Sequence, residues 1–381
     1  MFSSKKTGEL ILIIDVQSSI VRGTLVHMEK VATPTVLYTH NVRIPYKPRA
    51  QSGYIIKAAL HAISETVTET GRFLQAIVTT ANHNIPHKIS KVHYVLSSPW
   101  IVSQAKTLKL TFPEPKKVNK SYILGLISDE RSKLGGSNQD DIRVIEEKVF
   151  DVRLNEYSVQ NWDGRKTTDL EVSFVVSVAG GRMIDRFTDN CDHLVKRGSV
   201  QFHSSLFLQH LGIGKVMSDS SSYALLHVHG ELTDIAIIRS NSCIFFGSYP
   251  FGTHSIMRTI ARETKTDEQS AESTLTLSEK GQLDATHAQK ELSIISDMEH
   301  GWIGELRKLL MTSSVLDSLP RHIIISAHSH EDFFIKSFNA AYPDHKLQIL
   351  TMESIIPFVK FDSNAEQLRL TGLYVIAIHS L

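Results

Sequence analysis

Two strand–turn segments of one design constrain this chain more than any other feature. Leu10-Ile11-Leu12-Ile13-Ile14-Asp15-Val16-Gln17-Ser18-Ser19 stands near the start, and Ala224-Leu225-Leu226-His227-Val228-His229-Gly230-Glu231-Leu232-Thr233-Asp234 in the second half. Each is an apolar run ending in a polar turn with an acidic residue beside it, the pattern of a buried strand feeding a tight turn. The surroundings repeat as well. Glu9–Val16, Ile20–Met28 and Val36–Ile44 read as an antiparallel meander, followed by a helix with Ile56, Ala59, Leu60, Ile63 and Val67 at three- and four-residue steps. A loop over Thr79–Lys88 then leads to the strand Val92–Ser97. In the second half Tyr223–His229, Thr233–Arg239 and Ser242–Tyr249 form another meander, and Thr253–Glu263 the helix after it. A duplicated β-β-β-α unit predicts two related lobes.

Between the repeats lies a stretch of different character. It holds a strand over Thr107–Phe112, a turn marked by Pro113 and Pro115, and a helix capped by Asn119 with Ile123, Leu124 and Ile127 along its apolar stripe. A polar loop over Lys133–Asp141 and strands Val144–Val149 and Arg153–Gln160 complete a small α+β insert. Leu170–Val178 reads as a strand and Arg182–Val195 as a helix returning to the first lobe. Thr266 and Gln269 read as a capping box, Ala288–Leu310 as a long helix, His322–Ser326 as a buried strand, and Leu368–Ile378 as a final helix or strand. The expected organisation is a first lobe over 1–99, an insert over 100–161, a return over 162–215, and a second lobe over 216–381 with a helical part at about 252–312.

Bulk properties exclude several classes. The formal charge of +1 over 381 residues lacks the basic excess of a nucleic-acid binder. Two cysteines, Cys191 and Cys243, have no metal spacing and predict no disulfide framework, in keeping with a reducing cytoplasm. No apolar run reaches the roughly 18–20 residues of a membrane span. Met1-Phe2-Ser3-Ser4-Lys5-Lys6 leads into a strand rather than a secretion signal.

The ordered motifs resemble the FtsA/PilM branch of the actin superfamily, the division and type IV pilus assembly members. Ile14-Asp15-Val16-Gln17-Ser18-Ser19 looks like that family's first phosphate turn, Asp-Ile-Gly-Thr/Ser-Ser. The segment from His227 to Ala236 looks like the second, Asp-Ile-Gly-Gly-Gly-Thr-Thr-Asp-Ile-Ala. Tyr249-Pro250-Phe251-Gly252 is similar to the Pro-x-Gly that follows, and Thr266–Glu272 to the helix start containing Glu-Ala-Glu. The resemblance covers nearly the whole chain. It implies an α/β, two-lobed actin-like fold with an inserted SHS2-like subdomain, and a nucleotide cleft lined by Asp15, Ser18, Ser19, Gly230, Thr233 and Asp234.

Departures from that pattern predict a cleft without ATP chemistry. Gln17 stands where glycine lets backbone N–H groups approach a phosphate. His227 and His229 replace an aspartate and a glycine, and Glu231 sets a negative charge where phosphates would lie. Ser326-Ala327-His328-Ser329 replaces the glycine-rich adenosine loop. The expected role is a non-catalytic scaffold, a pseudo-ATPase with no cofactor, binding a protein partner or assembling with itself. The ending of the sequence, without an FtsA-type amphipathic tail, fits PilM better. PilM-like behaviour implies holding the cytoplasmic tail of a membrane protein, and so a place beneath the inner membrane in pilus assembly or division. Two alternatives stay open: an ATPase with weakened motifs using Mg-ATP, and a metal-binding protein built on His227, His229, His328 and His330 with Asp15 and Asp234. Trp100, after Ser97-Ser98-Pro99, reads either as an exposed docking residue or as a pin between insert and lobe. The lysines of the insert, Lys106, Lys109, Lys116, Lys117 and Lys120, read as solvated surface.

Overall fold

The apolar run that opens the chain forms β1 (Glu9–Val16), and polar turns fold it back into β2 (Ile20–Met28) and β3 (Thr35–Arg43), an antiparallel meander. The computed structural model describes residues 8–29, 32–45, 52–79, 85–132, 141–217, 221–240, 242–284, 288–313, 315 and 319–381. Most of the expected loops at Thr79–Lys88 and Lys133–Asp141 lies outside these residues. After the meander α1 (Ser52–Thr79) crosses over, and β4 (Ile89–Leu96) returns parallel to β1. The helix packs on β2 and β3 and buries Ala59, Ile63 and Val67, the stripe read from the sequence.

The insert comprises β5 (Val102–Lys117), α2 (Lys120–Ser132), β6 (Ile142–Leu154), β7 (Tyr157–Ser158) and β8 (Lys166–Gly180). Its antiparallel sheet has the order β5-β8-β6-β7. Asn119 caps α2 as expected, its Oδ1 accepting the Tyr122 N–H at 2.8 Å. Asn119→Ala is expected to lower stability by about 1 kcal/mol, read from the midpoint of urea unfolding with unchanged slope.

Three expectations for this region are corrected. The prolines make no chain reversal: β5 continues through Pro113 and Pro115, with a register shift between Thr111 and Lys116. β5 is an edge strand, where a missing N–H costs no ladder bond. Val144–Val149 and Arg153–Gln160 are not two strands, because β6 runs unbroken to Leu154 through two bulges. β8 belongs to the insert, which therefore extends past 161. Leu170, Val172, Phe174 and Val176 alternate into one core with Val152, Ile123 and Ile127. Each such side chain stabilises by roughly 1.5–3 kcal/mol when fully buried, which holds the strand in this sheet.

α3 (Gly181–Asp189), shorter than the helix expected to Val195, leads through a 3₁₀ turn at Arg197–Ser199 to β9 (Val200–Ser204), parallel to β4, and to α4 (Ser205–Val216). The theme then recurs. β10 (Tyr223–Val228), β11 (Thr233–Arg239) and β12 (Ser242–Tyr249) form the second meander. α5 (Thr253–Thr264), α6 (Glu268–Glu279) and α7 (Gln289–Thr312) precede β13 (His322–Ala327), parallel to β10. α6 is capped by Asp267, whose carboxylate accepts the Ser270 N–H at 2.7 Å, in place of the expected Thr266–Gln269 box. α8 (Glu331–Ala341) and β14 (Lys346–Leu347) follow. The remaining elements are α9 (Met352–Ile355), β15 (Lys360–Phe361) and α10 (Arg369–Ser380).

The strand order β3-β2-β1-β4-β9 in one sheet matches β12-β11-β10-β13-β14 in the other. The duplication read from the sequence is thus a duplication of topology. Contacts divide the chain into unit 1, residues 1–220 with 350–381, and unit 2, residues 221–349. The expected second lobe ran to 381, but the last segment joins unit 1. β15 pairs with β3, and α10 packs on α4, where a side chain at Gly212 would meet the Leu373 carbonyl oxygen at 2.6 Å. The Tyr374 hydroxyl lies 2.7 Å from Ser205 Oγ at the same contact.

Candidate functional site

The first turn lies in unit 1. Gln17 N–H donates to the Ile20 carbonyl at 3.0 Å, leaving Ser18 and Ser19 as a two-residue hairpin loop. That loop length sets Asp15 directly opposite Arg22 on the antiparallel ladder. Both side chains are buried, each residue 2% exposed, with Arg22 Nη1 at 3.4 Å from Asp15 Oδ2. Gln17, also buried, donates its side-chain amide to the same oxygen at 2.8 Å. Arg22 Nε donates to Asn41 Oδ1 at 2.9 Å, and Asn41 Nδ2 to Glu366 Oε2 at 2.8 Å. The carboxylate expected to face a metal–nucleotide therefore has a fixed internal countercharge.

The turn is also pinned from behind. Ser19 is buried and its carbonyl accepts the Ile44 N–H, while Ser18 is half-buried. Trp100 is not an exposed docking residue: it stands just before β5, in a core cluster with lobe residues and with Ala179 of β8. It is buried, and its indole N–H donates to the Gln17 carbonyl at 2.8 Å.

The second turn lies in unit 2 and is closed by its own partners. His229 N–H donates to Leu232 O at 3.0 Å. The first backbone donors of α5 would serve an anion if free, but Thr253 N–H donates to His229 O at 3.1 Å and His254 N–H to Gly230 O at 2.8 Å. This approach requires Gly252, since a Cβ there would come within 2.6 Å of the Gly230 carbonyl carbon. Glu231, read as a repulsive charge, is held by a bidentate Arg258 at 2.8 and 2.6 Å and by His254 Nδ1 at 3.3 Å. Burial pushes the Glu231 carboxyl up, but hydrogen bonds from His254 and Arg258 and their charge outweigh it and hold it below the usual range.

Thr233 and Asp234 point to opposite faces, as successive strand residues must. Thr233 turns into the core of unit 2. Its hydroxyl donates to Phe251 O at 2.6 Å and accepts the indole N–H of the fully buried Trp302 at 3.0 Å. Asp234 sits 3.0 Å from His229 Nε2, both buried. His227 and His229 share one face as read, their ring centroids 5.0 Å apart, and His227 Nδ1 is 3.0 Å from Ser326 Oγ.

The third loop, between β13 and α8, is likewise engaged. Ala327 N–H donates to Glu331 Oε1 at 3.3 Å, and Phe333 N–H to Glu279 Oε1 at 3.2 Å. His330 Nδ1 lies 2.8 Å from Glu279 Oε2. Among the described residues no group of three or more His, Cys, Asp or Glu side chains converges as a metal site requires. Of the expected cleft residues, Asp15, Ser18 and Ser19 stand together on one turn, and Gly230, Thr233 and Asp234 on the other. Arg22, Asn41, His254, Arg258 and Glu279 went unread in the sequence. Only Arg22 had a local signal, the hairpin spacing that sets it against Asp15.

No family model matches the chain, and no curated protein matches its sequence. Solved structures do match. A chain of the PilM–PilN type IV pilus biogenesis complex aligns with a TM-score of 0.63 at 13% identity, covering 98% of this chain and 97% of that one. The ethanolamine utilization protein EutJ from Carboxydothermus hydrogenoformans aligns at 0.47 and 8% identity, over 99% and 93%. A Bacteroides thetaiotaomicron protein with an actin-like ATPase fold aligns at 0.44 and 8%, over 100% and 99%. The chain has a two-lobed actin-like fold. Within that fold it resembles PilM.

Proposed function

We propose that the chain is a non-catalytic scaffold of the actin-like fold, a pseudo-ATPase that holds a protein partner rather than turning over a nucleotide. One observation carries this reading: the acid of the first turn, Asp15, is paired within its own unit with the Arg22 guanidinium and accepts the Gln17 amide. A carboxylate whose charge is already countered attracts a hydrated magnesium ion less strongly. The closed turn at Gly230 and the carboxylate-filled start of α8 support the same reading. The likeness to PilM, in a complex with PilN, favours a partner protein in an assembly of the pilus or division type. The partner we propose is the cytoplasmic tail of a membrane protein, which would recruit the scaffold to the inner membrane, with self-association as a second mode. The inserted sheet with α2 is the counterpart of the SHS2-like module in that scheme.

Titration calorimetry with Mg-ATP and Mg-ADP tests the central claim. The expected result is no saturable heat up to millimolar nucleotide. Micromolar binding that vanishes in Asp15→Ala would overturn the scaffold reading in favour of an active ATPase.

A further inference from the structure

A buried line of titratable groups joins the insert to the six-stranded sheet of unit 1. Glu146 sits at a bulge in β6, His203 on the edge strand β9 and His93 on β4. All three are buried, Glu146 only 6% exposed. Glu146 Oε2 accepts the Ser204 N–H at 3.0 Å. Its Oε1 has no hydrogen-bond donor in place and lies 3.5 Å from His203 Nδ1. His203 Nε2 is 3.1 Å from His93 Nδ1, and the two rings stack with centroids 5.3 Å apart. A cavity of about 350 Å³ adjoins the line, bordered by Glu146, His203, Phe202, Phe207 and Lys148.

We propose that Glu146, His203 and His93 form a proton-controlled clamp that seats the inserted sheet on the edge of the six-stranded sheet. The chemistry of the line gives it two self-consistent states. With a proton on Glu146, its O–H donates to His203 Nδ1, and His203 Nε2–H donates to His93 Nδ1. Without that proton every donor reverses: His93 Nδ1–H donates to His203 Nε2, and His203 Nδ1–H to the carboxylate. The second state leaves a full negative charge in a place almost closed to water, which is costly.

The surroundings decide which state the fold prefers. Burial pushes the Glu146 carboxyl up, and the neighbouring His203, the Ser204 N–H and Lys148 recover only part, so it stays raised. His93 is pushed down to about 3, first by burial and then by the charges of His203 and Lys91. Other charged groups around the line are Glu147 and Lys148 on β6, Lys91 on β4 paired at 3.0 Å with Glu9 on β1, and His210 on α4. His210 is held down to about 4 by burial and lies edge-on to Phe150 of β6.

The two shifts act in opposite directions. A raised Glu146 contributes stability that is lost as pH rises through its folded value. A lowered His93 contributes stability that is lost as pH falls below the ordinary imidazole value of about 6.5 toward 3. The His93 contribution is complete above about 6.5, so a loosening of the clamp on the alkaline side belongs to Glu146.

Hydrogen exchange of the intact chain across roughly pH 5.5–8.5, corrected for intrinsic rates, reads this directly. Peptides covering 142–154 and 200–204 are expected to lose protection as pH rises, by up to about tenfold per pH unit between the ordinary carboxyl range and the raised Glu146 value, and to level off above it. Peptides from β1 report global stability in the same samples. Glu146→Gln keeps an oxygen for Ser204 N–H and an amide donor for His203, and is expected to flatten the profile. His203→Phe removes the imidazole that favours the carboxylate, and is expected to move the loss to higher pH. A flat wild-type profile, or one unchanged in both variants, would overturn the clamp.

Discussion

Arg22→Met is expected to destabilise the protein by about 3–5 kcal/mol, the cost of removing one partner from a buried ion pair. The guanidinium and the Asp15 carboxylate are both buried, so the remaining charge would have no water to turn to. The substitution also strips Asn41 of its Arg22 donor, which belongs to the same loss. Adding Asp15→Asn should recover most of the deficit, because asparagine leaves an uncharged oxygen to accept the Gln17 amide. Urea unfolding of the two single variants and the double variant gives the coupling energy. Strong positive coupling, indifferent to magnesium or chelator, marks Asp15 as a structural anion. Additive effects, or a double variant no better than Arg22→Met, would show that the pair does not hold the turn.

Gly252→Ala is the second large effect, expected near the upper end of overpacking penalties at about 3 kcal/mol. The added methyl meets the Gly230 backbone, which cannot swing aside as a flexible side chain can. Relief requires α5 to retreat from the turn. Retreat breaks the Thr253 and His254 hydrogen bonds and loosens Arg258 from Glu231. Hydrogen exchange should show lost protection at 228–234 and 253–259 before any change in β1. Wild-type stability in this variant would mean that the tight approach of α5 is dispensable.

The sequence carried the repeated frame because buried strands and amphipathic helices have periods of their own. Leu10 to Val16 and Ala224 to Val228 declare themselves as buried strands, and the strand–turn pairing follows from local chemistry. The substituted turn residues were legible for the same reason, since a side chain at Gln17 or Glu231 stands where a backbone approach needs glycine. What those side chains do there was hidden. Glu231 reads as a repelled charge until α5 brings Arg258 to it, a partner 27 positions away. Glu279 and His330 meet across 51 positions, and no local pattern joins them. The insert boundary was missed because β8 has the same alternation whichever sheet it enters. Its membership is set by the core formed with Val152 and α2.

The return of residues 350–381 to unit 1 has a consequence during synthesis. β3 gains its neighbour β15 through Thr35 and Lys360, and Asn41 meets Glu366 across 325 positions. A nascent chain leaving the ribosome has every residue of unit 2, 221–349, before it has those that complete unit 1. Strand β3 must therefore wait with one edge open while the rest of the chain is translated. Unit 1 is begun before unit 2 and completed after it.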